Sequence, residues 1–149
     1  MKFKTVNHSN INTLYKLNKH LAKEEGQLSL FTAKRKKYKD YFLCNNPMVF
    51  GILIFEKNKP IGFIIYVHKF ATYLASKVLF IEDIYLKSNY QNENHINSVL
   101  QHIIKKSKKE KYARIELRVL KNYSLDKKLL KTNKFKKIKK WDTYRYQEK

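Results

Sequence analysis

The sequence predicts an α/β fold, a mixed sheet with helices packed on its faces. Three observations point that way. Short β-rich apolar runs alternate with stretches whose apolar residues recur at spacings of three and four. Taken in order these segments read β-α-α-β-β-β-α-β-α-β. No repeat, linker or low-complexity block divides the 149 residues, so the chain reads as one domain, 1–149.

Lys2 to Val6 alternates and reads as a short edge strand. Ser9 or Asn10 can cap a helix whose apolar positions are Ile11, Leu14, Leu17 and Leu21, and Gly26 ends it. Thr32 can cap a second helix with Tyr38, Tyr41 and Phe42 on one side, closed by Asn45-Asn46-Pro47. Met48 to Phe55 and Ile61 to Phe70 are β-rich, and the polar stretch Glu56 to Pro60 between them predicts a hairpin. Lys77 to Leu86 is a third long strand. A helix over Asn94 to Lys109 carries Ile96, Val99, Leu100, Ile103 and Ile104 on one stripe. Ala113 to Leu120 reads as a strand, Leu125 to Lys131 as a short helix, and Lys139 to Tyr146 as a final strand.

Composition narrows the possible partners. There are 33 Lys+Arg against 12 Asp+Glu, a formal net charge of +21. Such charge favours polyanions: nucleic acid, an anionic surface or a phosphate-rich ligand. Yet Arg35, Arg114, Arg118 and Arg145 are the only arginines, and Ile, Asn, Tyr and Phe are abundant. That is the usage of an AT-rich genome, whereas phosphate and base readers favour the arginine fork. At 43% hydrophobic and 14% aromatic the chain can bury a core. Its longest uncharged apolar runs, Val49–Phe55 and Ile61–Val67, are about a third of the roughly 20 residues a membrane span needs. Lys2 and Lys4 interrupt any secretory h-region after Met1. The single cysteine, Cys44, fits a reducing cytoplasm and, lacking an activating neighbour, is expected to be buried or inert. His8, His20, His68, His95 and His102 lack metal-ligand spacing, so no metal is expected.

Five stretches carry a resemblance. Leu21-Ala22-Lys23-Glu24-Glu25 ends the first helix. Lys59-Pro60-Ile61-Gly62-Phe63 starts the hairpin's second strand. Ile81-Glu82-Asp83-Ile84-Tyr85-Leu86, Ile115-Glu116-Leu117-Arg118-Val119-Leu120 and Trp141-Asp142-Thr143-Tyr144-Arg145 follow in order. Together they resemble the GNAT family of acyl-CoA-dependent N-acetyltransferases, and within it the diamine/polyamine (spermidine/spermine-type) branch. The resemblance spans Lys2 to Tyr146. It implies a mostly antiparallel sheet of six to seven strands, with the Lys77–Leu86 strand splayed from its neighbour at a central bulge.

The resemblance also implies a site. Backbone groups of Ile84, Tyr85 and Leu86 would pair with the pantetheine arm of acetyl-CoA as an added strand would. The loop of Gln91, Asn92, Glu93, Asn94, His95 and Ile96 would hold the pyrophosphate with the helix dipole, and Asn122 matches the family asparagine. Glu82 or Asp83 is the candidate base that frees the acceptor amine, whose pKa is near 10, for direct attack in a ternary complex. On the residues alone this pair reads more simply as an ion pair or a strand-end cap. Glu24, Glu25, Trp141 and Tyr144 fall where the branch shapes its amine pocket; a solvated helix end and ordinary packing are the plainer readings. The implied reaction is acetyl transfer to a primary amine of a diamine, polyamine or amino-acid-like molecule, by a cytoplasmic homodimer with no membrane partner.

Two departures from the family pattern bear on activity. The phosphate loop of the family has small residues where this chain has Asn94 and Ile96, and Glu93 adds negative charge there. Asn tolerates positive φ, but a branched residue resists close approach of the backbone to a ligand. The family's proton-donating tyrosine aligns with Leu130, leaving Tyr123 as the nearest donor in sequence. Two further functions stay open on these grounds. One is a non-catalytic GNAT-fold protein with weakened CoA binding. The other is a nucleic-acid module built on Lys127, Lys128, Lys131, Lys134, Lys136, Lys137, Lys139 and Lys140, with Phe135 and Trp141 interleaved.

Overall fold

The computed structural model describes residues 1–119, 127–140 and 142–146. Strand β1 (Lys2–Thr5) is followed by helices α1 (Ile11–Glu24) and α2 (Arg35–Phe42). Then come β2 (Val49–Glu56), β3 (Lys59–Ala71), β4 (Ser76–Leu86), α3 (Glu93–Lys109), β5 (Arg114–Leu117) and α4 (Lys127–Thr132). The strands form one sheet in the order β1-β2-β3-β4-β5. Its first three pairings are antiparallel and β4–β5 is parallel. A parallel neighbour needs a crossover, which α3 supplies.

Alternation along β2 and β3 builds a core on each face. Ile52, Ile54, Ile64 and Tyr66 pack with Ile96, Val99, Leu100 and Ile103 of α3. Leu53, Phe63 and Ile65 pack with Ile11, Leu14, Leu17 and Leu21 of α1. These are the helix stripes that the three- and four-residue spacings predict.

Local chemistry sets the element ends. Lys57 and Asn58 turn the β2–β3 hairpin with positive φ at both positions, 45° and 62°, in the two-residue geometry that suits strand twist. A β-branched residue resists that conformation, so Asn58→Val is expected to lose about 1–2 kcal/mol, read as a lower urea midpoint. Asn10 sits at the start of α1, but its Oδ1 accepts the Asn7 N–H (2.8 Å) rather than capping the helix. Asn92 does cap α3, its Oδ1 accepting from the His95 N–H at 3.0 Å.

Some expectations need correction. Among the described residues the sheet has five strands, not six or seven. No strand forms over the described part of 139–146, because nothing described pairs with it and its apolar side chains are solvated, Tyr144 at 90% exposure. Helix α2 starts at Arg35 with Lys34 in the cap position, so Thr32 caps nothing; a 3₁₀ turn at Leu28–Leu30 occupies part of the preceding segment. Cys44 is exposed, not buried. Among the described residues no helix is long and apolar enough to cross a membrane.

Candidate active site

The site begins with one extra residue. In the β3–β4 ladder Ile65 pairs with Asp83 and Tyr66 with Ile81, leaving Glu82 as a bulge. A bulge reverses the alternation of the side chains beyond it. Before it, Leu79 and Ile81 face α3; after it, Ile84 and Leu86 face α3 instead. Tyr85 is therefore turned to the α1 side, where it is fully buried. Asp83 shares that face, and without the bulge both would point the other way.

The parallel ladder ends at the same level. Its last pair is Ile81↔Leu117, while β4 runs on to Leu86. Lys87 donates its N–H to Ile61 O (2.8 Å). Backbone groups alternate along a strand, so Leu86 and Ile84 turn theirs away from β3, toward the edge that β5 has left. Gln91 Nε2 reaches back to Leu86 O at 2.7 Å and ties the following loop to that edge. Tyr85 turns its own backbone groups toward β3.

Electrostatics distinguish the two candidate acids. Arg118 Nη2 donates to Glu82 Oε2 at 2.8 Å. Asp83 has no such partner in the described structure. Burial, with the carboxylates of Glu82 and Glu25 beside it, pushes its pKa up to about 6, and Arg118 offsets this only in part. Burial also raises Glu25 above the ordinary carboxylate range. Tyr38 of α2 is pushed up to about 12 by burial, with the Asp83 charge adding to the shift. The end of α1, α2 and the bulge thus bring Glu25, Tyr38, Glu82 and Asp83 together.

Glu24 faces the loop after β4. Its Oε1 accepts from Ser88 Oγ at 2.9 Å and lies 3.4 Å from His20 Nδ1, which in turn meets Tyr85 Oη at 2.6 Å. At the start of α3, Glu93 and Asn94 occupy the exposed first turn. His95 is held by Asn92 Oδ1 at Nδ1 (2.8 Å) and by Glu56 Oε1 at Nε2 (3.0 Å). Ile96 is 7% exposed and packs into the α3 core, so its branched side chain points inward rather than into the loop's mouth. Leu130 also packs against that core. Tyr144 is exposed. Asn122, Tyr123 and Trp141 lie outside the described residues. Among the described residues no three His, Cys, Asp or Glu side chains converge as for a metal.

Sequence reasoning missed Arg118, Tyr38, Ser88 and His20. Only Arg118 carried a signal, as one of few arginines in a lysine-dominated chain.

Comparison with known proteins agrees with this architecture. No curated protein matches the sequence. Among solved structures, an aminoglycoside acetyltransferase from an uncultured soil metagenomic sample, in complex with sisomicin, is similar at TM-score 0.81 and 12% identity. That match covers 99% of this chain and 96% of the other. A ribosomal-protein-alanine N-acetyltransferase from Brucella melitensis biovar Abortus 2308 reaches TM-score 0.77 at 10% identity, over 99% and 100% of the two chains. A predicted acetyltransferase with acetyl-CoA from Clostridium acetobutylicum reaches 0.74 at 18% identity, over 97% and 95%. At such identities the likeness is one of fold. The family itself is carried by sequence: the model of the Acetyltransferase (GNAT) family matches residues 12–127, most of the chain, and this protein therefore belongs to the GNAT family of acetyltransferases.

Proposed function

We propose that this chain transfers an acetyl group from acetyl-CoA to a primary amine of a small molecule, of the diamine, polyamine or amino-acid-like class, as a cytoplasmic homodimer of one domain. The observation that carries the reading is the bulge at Glu82, which ends β4–β5 pairing and turns Asp83 toward Glu25. GNAT acetyltransferases use acetyl-CoA, which when bound supplies the acetyl group as a thioester open to amine attack.

The chain's own residues fit that co-substrate. The Ile84 and Leu86 backbone groups at the edge past β5 suit an extended arm that hydrogen-bonds like a strand. The first turn of α3, with Gln91 to His95, suits the pyrophosphate. Glu93 opposes an anion there, but it is exposed and screened. The inward turn of Ile96 weakens the alternative of a disabled, non-catalytic loop.

On the acceptor side, an alkylammonium with pKa near 10 must lose a proton before attack. Asp83 accepts it, since a carboxylate with pKa near 6 is ionised at neutral pH and more basic than an ordinary one. Glu24 and Glu25 draw the cation into a cleft that a lysine-rich chain would otherwise repel it from. Trp141 and Tyr144 complete the acceptor pocket in this reading. Asn122 completes the co-substrate site, and Tyr123 protonates the departing thiolate.

Calorimetric titration tests the reading at its first requirement. Acetyl-CoA is expected to bind well below high-micromolar concentration; absence of binding there overturns the enzyme. A diamine acetylated in the presence of acetyl-CoA, with a neutral alcohol untouched, is the accompanying expected result.

A further inference from the structure

Arg118 lies one residue past Leu117, and Glu82 one residue past Ile81, the last pair of the parallel ladder. The two side chains therefore meet where the strands part, bonded at 2.8 Å. The guanidinium carbon also lies 5.3 Å from the centre of the Phe80 ring, a second contact that fixes its direction. Both partners are partly exposed, 58% for Arg118 and 36% for Glu82. Such a pair adds at most about 1 kcal/mol of stability, so fold stability does not account for placing a scarce arginine here.

Its placement matters to the carboxylates. The charged and titratable groups facing Asp83 are Glu25 just past α1, Tyr38 from α2, Glu82 from β4 and Arg118 just past β5. β3 presents the apolar Ile65 opposite it. Arg118 is the one cation in this set. Arg118 thus places a positive charge beside the Glu82 and Glu25 carboxylates that raise Asp83, and offsets them in part.

We propose that Arg118 is a positioning residue of the acceptor site: by holding Glu82 at the parting of β4 and β5, it leaves Asp83 as the group that takes the acceptor's proton. The role rests on the acetyltransferase reading above. The electrostatic arrangement can be tested without it.

The test uses the full-length protein without acetyl-CoA, labelled with ¹³C at the aspartate carboxyls. Asp83 is assigned among Asp40, Asp83, Asp126 and Asp142 by its loss in Asp83→Asn. Arg118→Gln is expected to move the Asp83 titration midpoint up by about half a pH unit or more, given a partly screened charge at this range. Arg118→Lys should stay near wild type. Arg118→Gln combined with Glu82→Gln should return the midpoint to wild type or below. A side chain that merely supports local packing would not give this reversal. An unmoved midpoint in Arg118→Gln, or a double variant as displaced as the single one, overturns the proposal. In the active enzyme the acid limb of the kcat/KM profile should move by the same amount as the midpoint. Failure of wild type to bind acetyl-CoA defeats the proposed function, while the titration, which needs no co-substrate, still judges the Arg118 arrangement.

Discussion

Asp83→Asn is expected to lower kcat/KM for an amine acceptor by about 10²–10⁴-fold and to make the protein more stable at neutral pH. The two effects have one origin. Asp83 is half-buried beside Glu82 and Glu25, and its pKa rises from 3.8 to about 6. A raised carboxyl favours the folded state while it is protonated. That contribution is complete below pH 3.8 and is lost as pH rises through about 6. At pH 7.5 the ionised side chain therefore costs up to about 3 kcal/mol. Asparagine has nearly the same shape and no charge to bury. Urea unfolding should show Asp83→Asn more stable than wild type by about 2 kcal/mol at pH 7.5, and nearly equal to it at pH 4. Acetyl-CoA affinity should not change, because the side chain faces α1, away from the edge proposed to hold the co-substrate. Activity within tenfold of wild type would remove Asp83 from the chemistry, whatever the stability result.

The same residue marks how far the sequence could be read. Helices α1 and α3 were legible because each buries one face and so repeats with its own period, and the β2–β3 hairpin because the polar stretch Glu56 to Pro60 separates two β-rich apolar runs. Strand β4 is different. Val78, Leu79, Phe80 and Ile81 are all buried, as are Tyr85 and Leu86 after the acids, so the strand shows no alternation from which a phase could be read. An extra residue in such a strand leaves no trace in its pattern. The bulge was expected only through family resemblance, and its position at Glu82 came from the ladder register. Arg118 was harder still, since it meets Glu82 across 36 residues and no local spacing joins them. The start of α3 was misplaced by one residue for a related reason. Several polar residues precede the apolar stripe, and the bond from the His95 N–H to Asn92 Oδ1 is what fixes the cap. The expected final strand does not form in the described part of 139–146, where no described strand lies alongside to pair with it.

Gly62→Ala is expected to destabilise the fold by roughly 3 kcal/mol, the upper end of ordinary overpacking, and to weaken acetyl-CoA binding as well. Gly62 lies opposite Leu86 across the β3–β4 ladder. A Cβ placed there would stand 2.1 Å from Tyr85 O, 2.8 Å from Leu86 Cδ2 and 3.1 Å from Leu86 Cα. Two of these atoms are backbone, so no side-chain rotation relieves the clash and β4 itself must move. The part that moves is the stretch past the bulge, whose outer edge is proposed to bind the pantetheine arm. Gly51 provides the contrast. A Cβ there meets Val6 Cγ2 at 2.6 Å, Leu14 Cδ2 at 3.1 Å and Phe42 Cε1 at 3.2 Å, all side-chain atoms of the α1 face. Gly51→Ala should therefore destabilise less, by about 1–2 kcal/mol, and leave acetyl-CoA affinity unchanged once the protein is folded. Urea midpoints rank the two costs, and calorimetry on the folded variants separates the binding effect from stability. Equal acetyl-CoA affinity in Gly62→Ala and wild type would mean that the β4 edge past Glu82 does not contact the co-substrate. The pantetheine arm would then have to be sought elsewhere on the sheet.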